Sequence, residues 1–168
     1  MRFPRTVFAA SACLLVLGML AWAQTRKPGL WEVTSNMTWQ QSPFPAGMGA
    51  MAGHSPFGGG PHTTQICVTQ EEIDKYGTVP PRTQRDCQIT NVVKKPNGMT
   101  ADIVCTGHVT GKGNVESSWT SDSRSTSKVH FTGTMAMGQD SRPVEWTVES
   151  TSVYKGADCG SVKPFTEK

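Results

Sequence analysis

From residue 85 onward the chain keeps one habit: apolar or small residues take every second position and mostly polar ones fill the gaps. Along 99–109, Met99, Ala101, Ile103, Cys105, Gly107 and Val109 fall one way; Thr100, Asp102, Val104, Thr106 and His108 fall the other. A two-residue period puts successive side chains on opposite faces of a strand, so this region folds as half-buried β-structure rather than as helices. The same alternation groups Cys87, Ile89, Asn91 and Val93, and then Val115, Ser117 and Trp119 within 114–120. Along 128–137 it groups Val129, Phe131, Gly133, Met135 and Met137, and along 144–154 Val144, Trp146, Val148, Ser150, Ser152 and Tyr154. Upstream, 30–39 alternates with Trp31, Val33, Met37 and Trp39 on one face, and 63–68 reads as a short strand.

The punctuation supports this reading. Pro96-Asn97-Gly98 is a tight-turn signal, since Asn-Gly readily takes the positive φ angles of a two-residue hairpin. Turns are further expected at Gly111-Lys112-Gly113, at 121–125 and at 138–143. The expected fold is mainly β: a single antiparallel meander sheet, strongly twisted or partly rolled toward a barrel. One short helix interrupts it. Thr69 and Glu72 form a capping-box pattern, and Gly77 with Pro80-Pro81 ends the helix near Tyr76.

The start of the chain has different physics. Arg2 and Arg5 precede an apolar run from Val7 to Leu20, and Ala21-Trp22-Ala23 follows. Charge, greasy segment and A-x-A in that order form a secretory signal over residues 1–23. The run of 14 residues, broken only by Ser11 and Gly18, falls short of the roughly 20 a membrane-spanning helix needs. A lipoprotein reading through Cys13 is weaker, because the apolar run before it is short. Residues 24–168 then form a single β domain with no transmembrane segment, expected in the periplasm or secreted.

Removing the leader takes two of the 16 Lys+Arg, leaving 14 against 13 Asp+Glu. A nearly neutral chain lacks the electrostatic footprint of a nucleic-acid or membrane-surface binder. Four cysteines remain: Cys67, Cys87, Cys105 and Cys159. Their wide spacing disfavours zinc, and in an oxidising compartment they suit two disulfides. Four cysteines allow three connectivities. Closure of the Asn97-Gly98 hairpin brings Cys87 toward Cys105, which leaves Cys67 for Cys159. Residues 41–61 hold six glycines and four prolines without periodicity, and are expected to form a long mobile loop.

Three features together resemble the domain of unknown function 3617 family (DUF3617) of exported bacterial envelope proteins. They are Lys27-Pro28-Gly29-Leu30-Trp31-Glu32-Val33, the Cys67-Val68-Thr69 run entering an acidic helix, and the closing Asp158-Cys159. The resemblance spans about Lys27 to Cys159 and implies an envelope β domain. It implies no catalytic residues.

Three constellations are candidates for chemistry. Trp31, Trp119, Phe131, Trp146 and Tyr154 share a face with small residues, and large beside small on a curled sheet can leave a hollow for an apolar ligand. Met48, Met51 and His54, with His62 nearby, offer soft ligands to Cu(I) on the loop. His108, Glu116 and His130 occupy polar-face positions that converge if the turn at 121–125 brings Glu116 against His130. Each has an ordinary alternative: a filled core, a Met-containing loop and a solvated sheet face. No G-x-S-x-G, H-E-x-x-H or phosphate-binding loop occurs. The expectation is a non-catalytic binding or structural module of the envelope, with no cofactor. The alternatives are a carrier of a small apolar ligand and a periplasmic copper or metal binder. The expected partner is an apolar small molecule or an envelope protein.

Overall fold

The computed structural model describes residues 26–44, 60–80 and 86–164. Residues 1–23, where a leader is expected, and the loop residues Met48, Met51 and His54 lie outside the described residues. Seven strands form one antiparallel sheet: β1 (Gly29–Gln41), β2 (Pro61–Val68), β3 (Cys87–Lys95), β4 (Gly98–Thr106), β5 (Val109–Ser121), β6 (Arg124–Met137) and β7 (Asp140–Gly156). One helix, α1 (Gln70–Tyr76), follows β2. The strand order is β2-β1-β7-β6-β5-β4-β3, so β3 to β7 form a meander and the β1–β2 hairpin docks on its last strand. The sheet stays open between β2 and β3 and does not close into a barrel. No helix among the described residues is long and apolar enough to cross a membrane.

Helix α1 forms as its cap chemistry requires. The Thr69 hydroxyl accepts from the Glu72 amide, the Glu72 carboxylate accepts from the Thr69 amide at 2.7 Å, and Gly77 takes the left-handed φ of 71° that ends the helix. Its Ile73 packs with Trp31, Ile66, Val68 and Val79, while its Tyr76 joins a larger cluster around Met99, Val115 and Trp119. The helix therefore covers part of the apolar sheet face and closes the core there.

Except for β4, which ends at Thr106 rather than Val109, the strands are longer than the alternation alone marks, and their turns tighter. The loop between β5 and β6 is Asp122-Ser123, and that between β6 and β7 is Gly138-Gln139. The turn between β4 and β5 falls at Gly107-His108, not at the expected Gly111-Lys112-Gly113, which lies inside β5. The reason is packing: a Cβ at Gly111, Gly113 or Gly133 would strike the neighbouring strand's carbonyl of Thr132, His130 or Thr110 and also crowd the Phe131 ring to about 3 Å. These glycines serve a close strand-and-ring fit rather than a turn.

A second correction concerns β3. Asn91 adopts a φ of 53° in a bulge, so two residues of β3 are spent where β4 spends one. Beyond it the face assignment shifts by one: Val92 packs against the core, and Val93, expected inward, is 55% exposed. Cys87 pairs with Cys105 across the β3–β4 ladder, and Cys67 pairs with Cys159. Two such pairs fit an oxidising, extracytoplasmic compartment.

Candidate functional site

The aromatic candidates of the apolar face pack into the core clusters. Trp31 is fully buried and meets Tyr154 edge-on at 5.4 Å. Phe131 is 1% exposed and stacks on Trp146. Trp119 is covered by the guanidinium of Arg26, 3.4 Å from its ring centroid. Burial pushes that guanidinium down to about 10, while the charge of Asp122 acts in the other direction. Lys27, next in the chain, binds Asp122 at 2.6 Å, and its carbonyl accepts from the Trp31 indole at 3.0 Å. The five aromatic candidates thus serve the core and its cover, and none lines the groove described below.

The polar-face candidates separate. Because the β5–β6 loop is only two residues and a bulge between Trp119 and Ser121 shifts the ladder by one more, Glu116 stands opposite Lys128 and His130 opposite Asn114. His130 instead meets Glu145 of β7 at 2.9 Å. His108 sits in the β4–β5 turn, where its carbonyl accepts from the Ala136 amide. The expected convergence of His108, Glu116 and His130 is therefore not formed. Among the described residues no cluster of three or more His, Cys, Asp or Glu side chains is placed to hold a metal ion. His62 lies exposed at the start of β2.

What the register does build is a groove of about 990 Å³ across the polar face, crossing β1, β7, β6, β5 and β4. Two transverse rows make its walls. In the first, Thr34, Thr151, Thr126 and Ser118 stand side by side on successive strands. In the second, two residues along each strand, Asn36, Glu149, Lys128, Glu116 and Thr100 do the same. Between the rows, Ser150, Ser127, Ser117 and Met99 form the floor. Alternation sends their side chains to the opposite face, where Ser35 and Ser150 share a hydrogen bond of 2.8 Å. The turn Lys95-Pro96-Asn97 closes the β4 end.

The hydroxyl wall is internally ordered: Ser118 and Thr126 are 3.0 Å apart, and Thr34 lies 3.0 Å from Thr63 of β2. Each hydroxyl both donates and accepts, so bonding to one neighbour leaves further capacity. The charged wall alternates in sign. Lys128 reaches Glu149 at 3.3 Å and stands opposite Glu116 on its other side. Both partners of the measured pair are more than half exposed, so the pair contributes little to stability and remains open to a ligand. In the sequence these residues occupy alternating strand positions, and of them only Glu116 stands out, as a metal candidate. The recurring Thr/Ser at alternate positions was visible, but its assembly into rows depends on registers between strands distant in the chain.

An open, disulfide-stapled antiparallel sheet with one capped helix and a polar transverse groove defines a small β-domain class of the kind that suits an oxidising compartment. Residues 26–159 match the family model described as protein of unknown function (DUF3617), and the chain belongs to that family. Comparison with curated proteins and with solved structures gives no match.

Proposed function

We propose that this chain is an exported, non-catalytic binding module of the cell envelope, and that the transverse groove is its binding surface. The observation that carries this reading is the pairing of a hydroxyl row over four neighbouring strands with a second row over five, whose charged members alternate in sign. Such a surface offers directional polar contacts in a fixed, strand-spaced array, which suits recognition. The lysine and carboxylates in it are exposed ion-pair partners, an ordinary composition for a contact surface. The signal pattern read over residues 1–23 and the two disulfides support the export part of the reading.

The test uses the full chain in a bacterial host with an outer membrane. A photo-crosslinking residue is placed at Thr126 in the groove, or at Lys112 on the same face outside it. Expected are a periplasmic chain whose cysteines resist alkylation until reduced, and an adduct from position 126 that position 112 lacks. A cytosolic chain with free thiols would sink the export part. Equal adducts at both positions, or none, would sink the groove.

A further inference from the structure

Three properties of the groove narrow the chemistry of its occupant. The first is pitch. Neighbouring strands lie about 4.8 Å apart, so Thr34, Thr151, Thr126 and Ser118 repeat at about that interval, and the opposite row keeps step. An extended peptide advances about 3.3 Å per residue, so its groups fall out of step with such rows. One pyranose ring in an extended β-linked chain advances by close to one strand spacing.

The second is charge. Glu116 and Glu149 are balanced by Lys128 and Lys95, so the lining carries no net charge. A polyanion binds through an excess of Lys and Arg, which this groove lacks. The third is donor and acceptor type. Hydroxyls along one wall can both give and receive hydrogen bonds, carboxylates on the other receive them, and the lysines give them. A neutral, densely hydroxylated chain complements all three.

We infer that the groove holds a neutral, β-linked polysaccharide strand laid across the sheet, with one sugar ring per β-strand. This rests on the reading of the groove as the binding surface. Crossing from β1 to β4 spans four strand spacings, about 19 Å, which gives four to five sugar subsites. The described lining includes no aromatic ring. Affinity therefore comes from hydrogen bonds of modest individual worth and accumulates with chain length.

The test titrates the exported, oxidised protein with chitin-derived and cellulose-derived oligosaccharides of one to six units, followed by calorimetry and by amide shifts in NMR. Affinity is expected to rise with length and level off at four or five units, with shifts confined to β1, β7, β6, β5 and β4. The double substitution Thr126→Val/Thr151→Val, chosen to keep β-branched shape, is expected to weaken binding about tenfold or more. Lys112→Ala is expected to leave it unchanged. Circular dichroism confirms that each variant folds. No binding by either series, binding that ignores length, or binding undiminished in the double variant overturns the inference. A position-126 adduct that persists while both sugar series fail overturns the sugar inference alone. Loss of both overturns the groove as well.

Discussion

Phe131 stacks on Trp146 with ring centroids 4.3 Å apart and planes inclined by 18°, and the same ring spreads over three glycines of β5 and β6. An added methyl at Gly113 would stand 3.1 Å from both Cα and Cδ2 of Phe131, and closer still to the His130 carbonyl. Relief requires moving β5 away from β6, against their ladder of hydrogen bonds. Gly113→Ala is expected to cost roughly 1–3 kcal/mol by overpacking, and Phe131→Ala about 3–5 kcal/mol by cavity formation. Gly156→Ala is the control, because its methyl meets nothing within 4 Å; it should stay within about 0.5 kcal/mol. Urea midpoints decide the matter, and equal midpoints for the two glycine variants would refute the ring-over-glycine account.

The bulge at Asn91 makes a prediction that alternation alone reverses. Val92 packs on the core and Val93 faces water. Val92→Ala is therefore expected to destabilise by about 1 kcal/mol through lost apolar burial, and Val93→Ala by less than about 0.5 kcal/mol. The opposite ranking in chemical denaturation would mean that β3 pairs without a bulge.

The two disulfides close loops of different size. Cys87–Cys105 spans a sequence separation of 18 and Cys67–Cys159 one of 92. By loop-closure entropy the first contributes about 3 kcal/mol and the second between roughly 4 and 5 kcal/mol. Replacing Cys67 and Cys159 together by alanine is expected to lower the unfolding midpoint more than replacing Cys87 and Cys105. Equal losses in the two double variants would count against the entropic ordering.

The exposed Lys27–Asp122 pair links stability to pH. The hydrogen bond from Lys27 holds the Asp122 carboxyl below its ordinary range, and the same bond raises Lys27 above its own. As pH falls, the unfolded chain takes up the Asp122 proton first. The contribution of the pair is thus full above roughly pH 4 and is lost as pH drops through the folded value. On the alkaline side it fades as pH rises through the folded value of Lys27. Wild type is expected to melt at a slightly higher temperature than Asp122→Asn at neutral pH, the gap closing in acid. A gap that persists unchanged down to pH 2 would show that charge is not its source.

Some of these relationships were legible before any tertiary structure and some were not. The capping box at Thr69 and Glu72 and the stop at Gly77 were readable because they depend on residues three to eight apart. The hairpin that brings Cys87 opposite Cys105 was legible for the same reason, although its loop is Pro96-Asn97, one residue before the expected Asn97-Gly98 and without a positive φ at either residue of that pair. The Gly107-His108 turn was missed because Gly111 and Gly113 imitate a turn in sequence, and their purpose lies in a ring eighteen to twenty residues away. His108, Glu116 and His130 kept their face but not their company, since a two-residue loop together with the bulge between Trp119 and Ser121 set the β5–β6 register and left Glu116 opposite Lys128. A shift of two preserves which face a side chain occupies and changes every neighbour it meets there.

The period-two pattern, the cap residues and the cysteine count determined a stapled antiparallel β domain with one short helix, because each acts through local geometry or composition. The order in which strands lie side by side was decided in three dimensions, as were the filling of the aromatic face and the groove that Thr34, Thr151, Thr126 and Ser118 line. Those features come from pairings such as β1 with β7, whose residues are more than a hundred positions apart. Alternation says which face a residue joins, whereas only the docking of distant strands says what stands beside it.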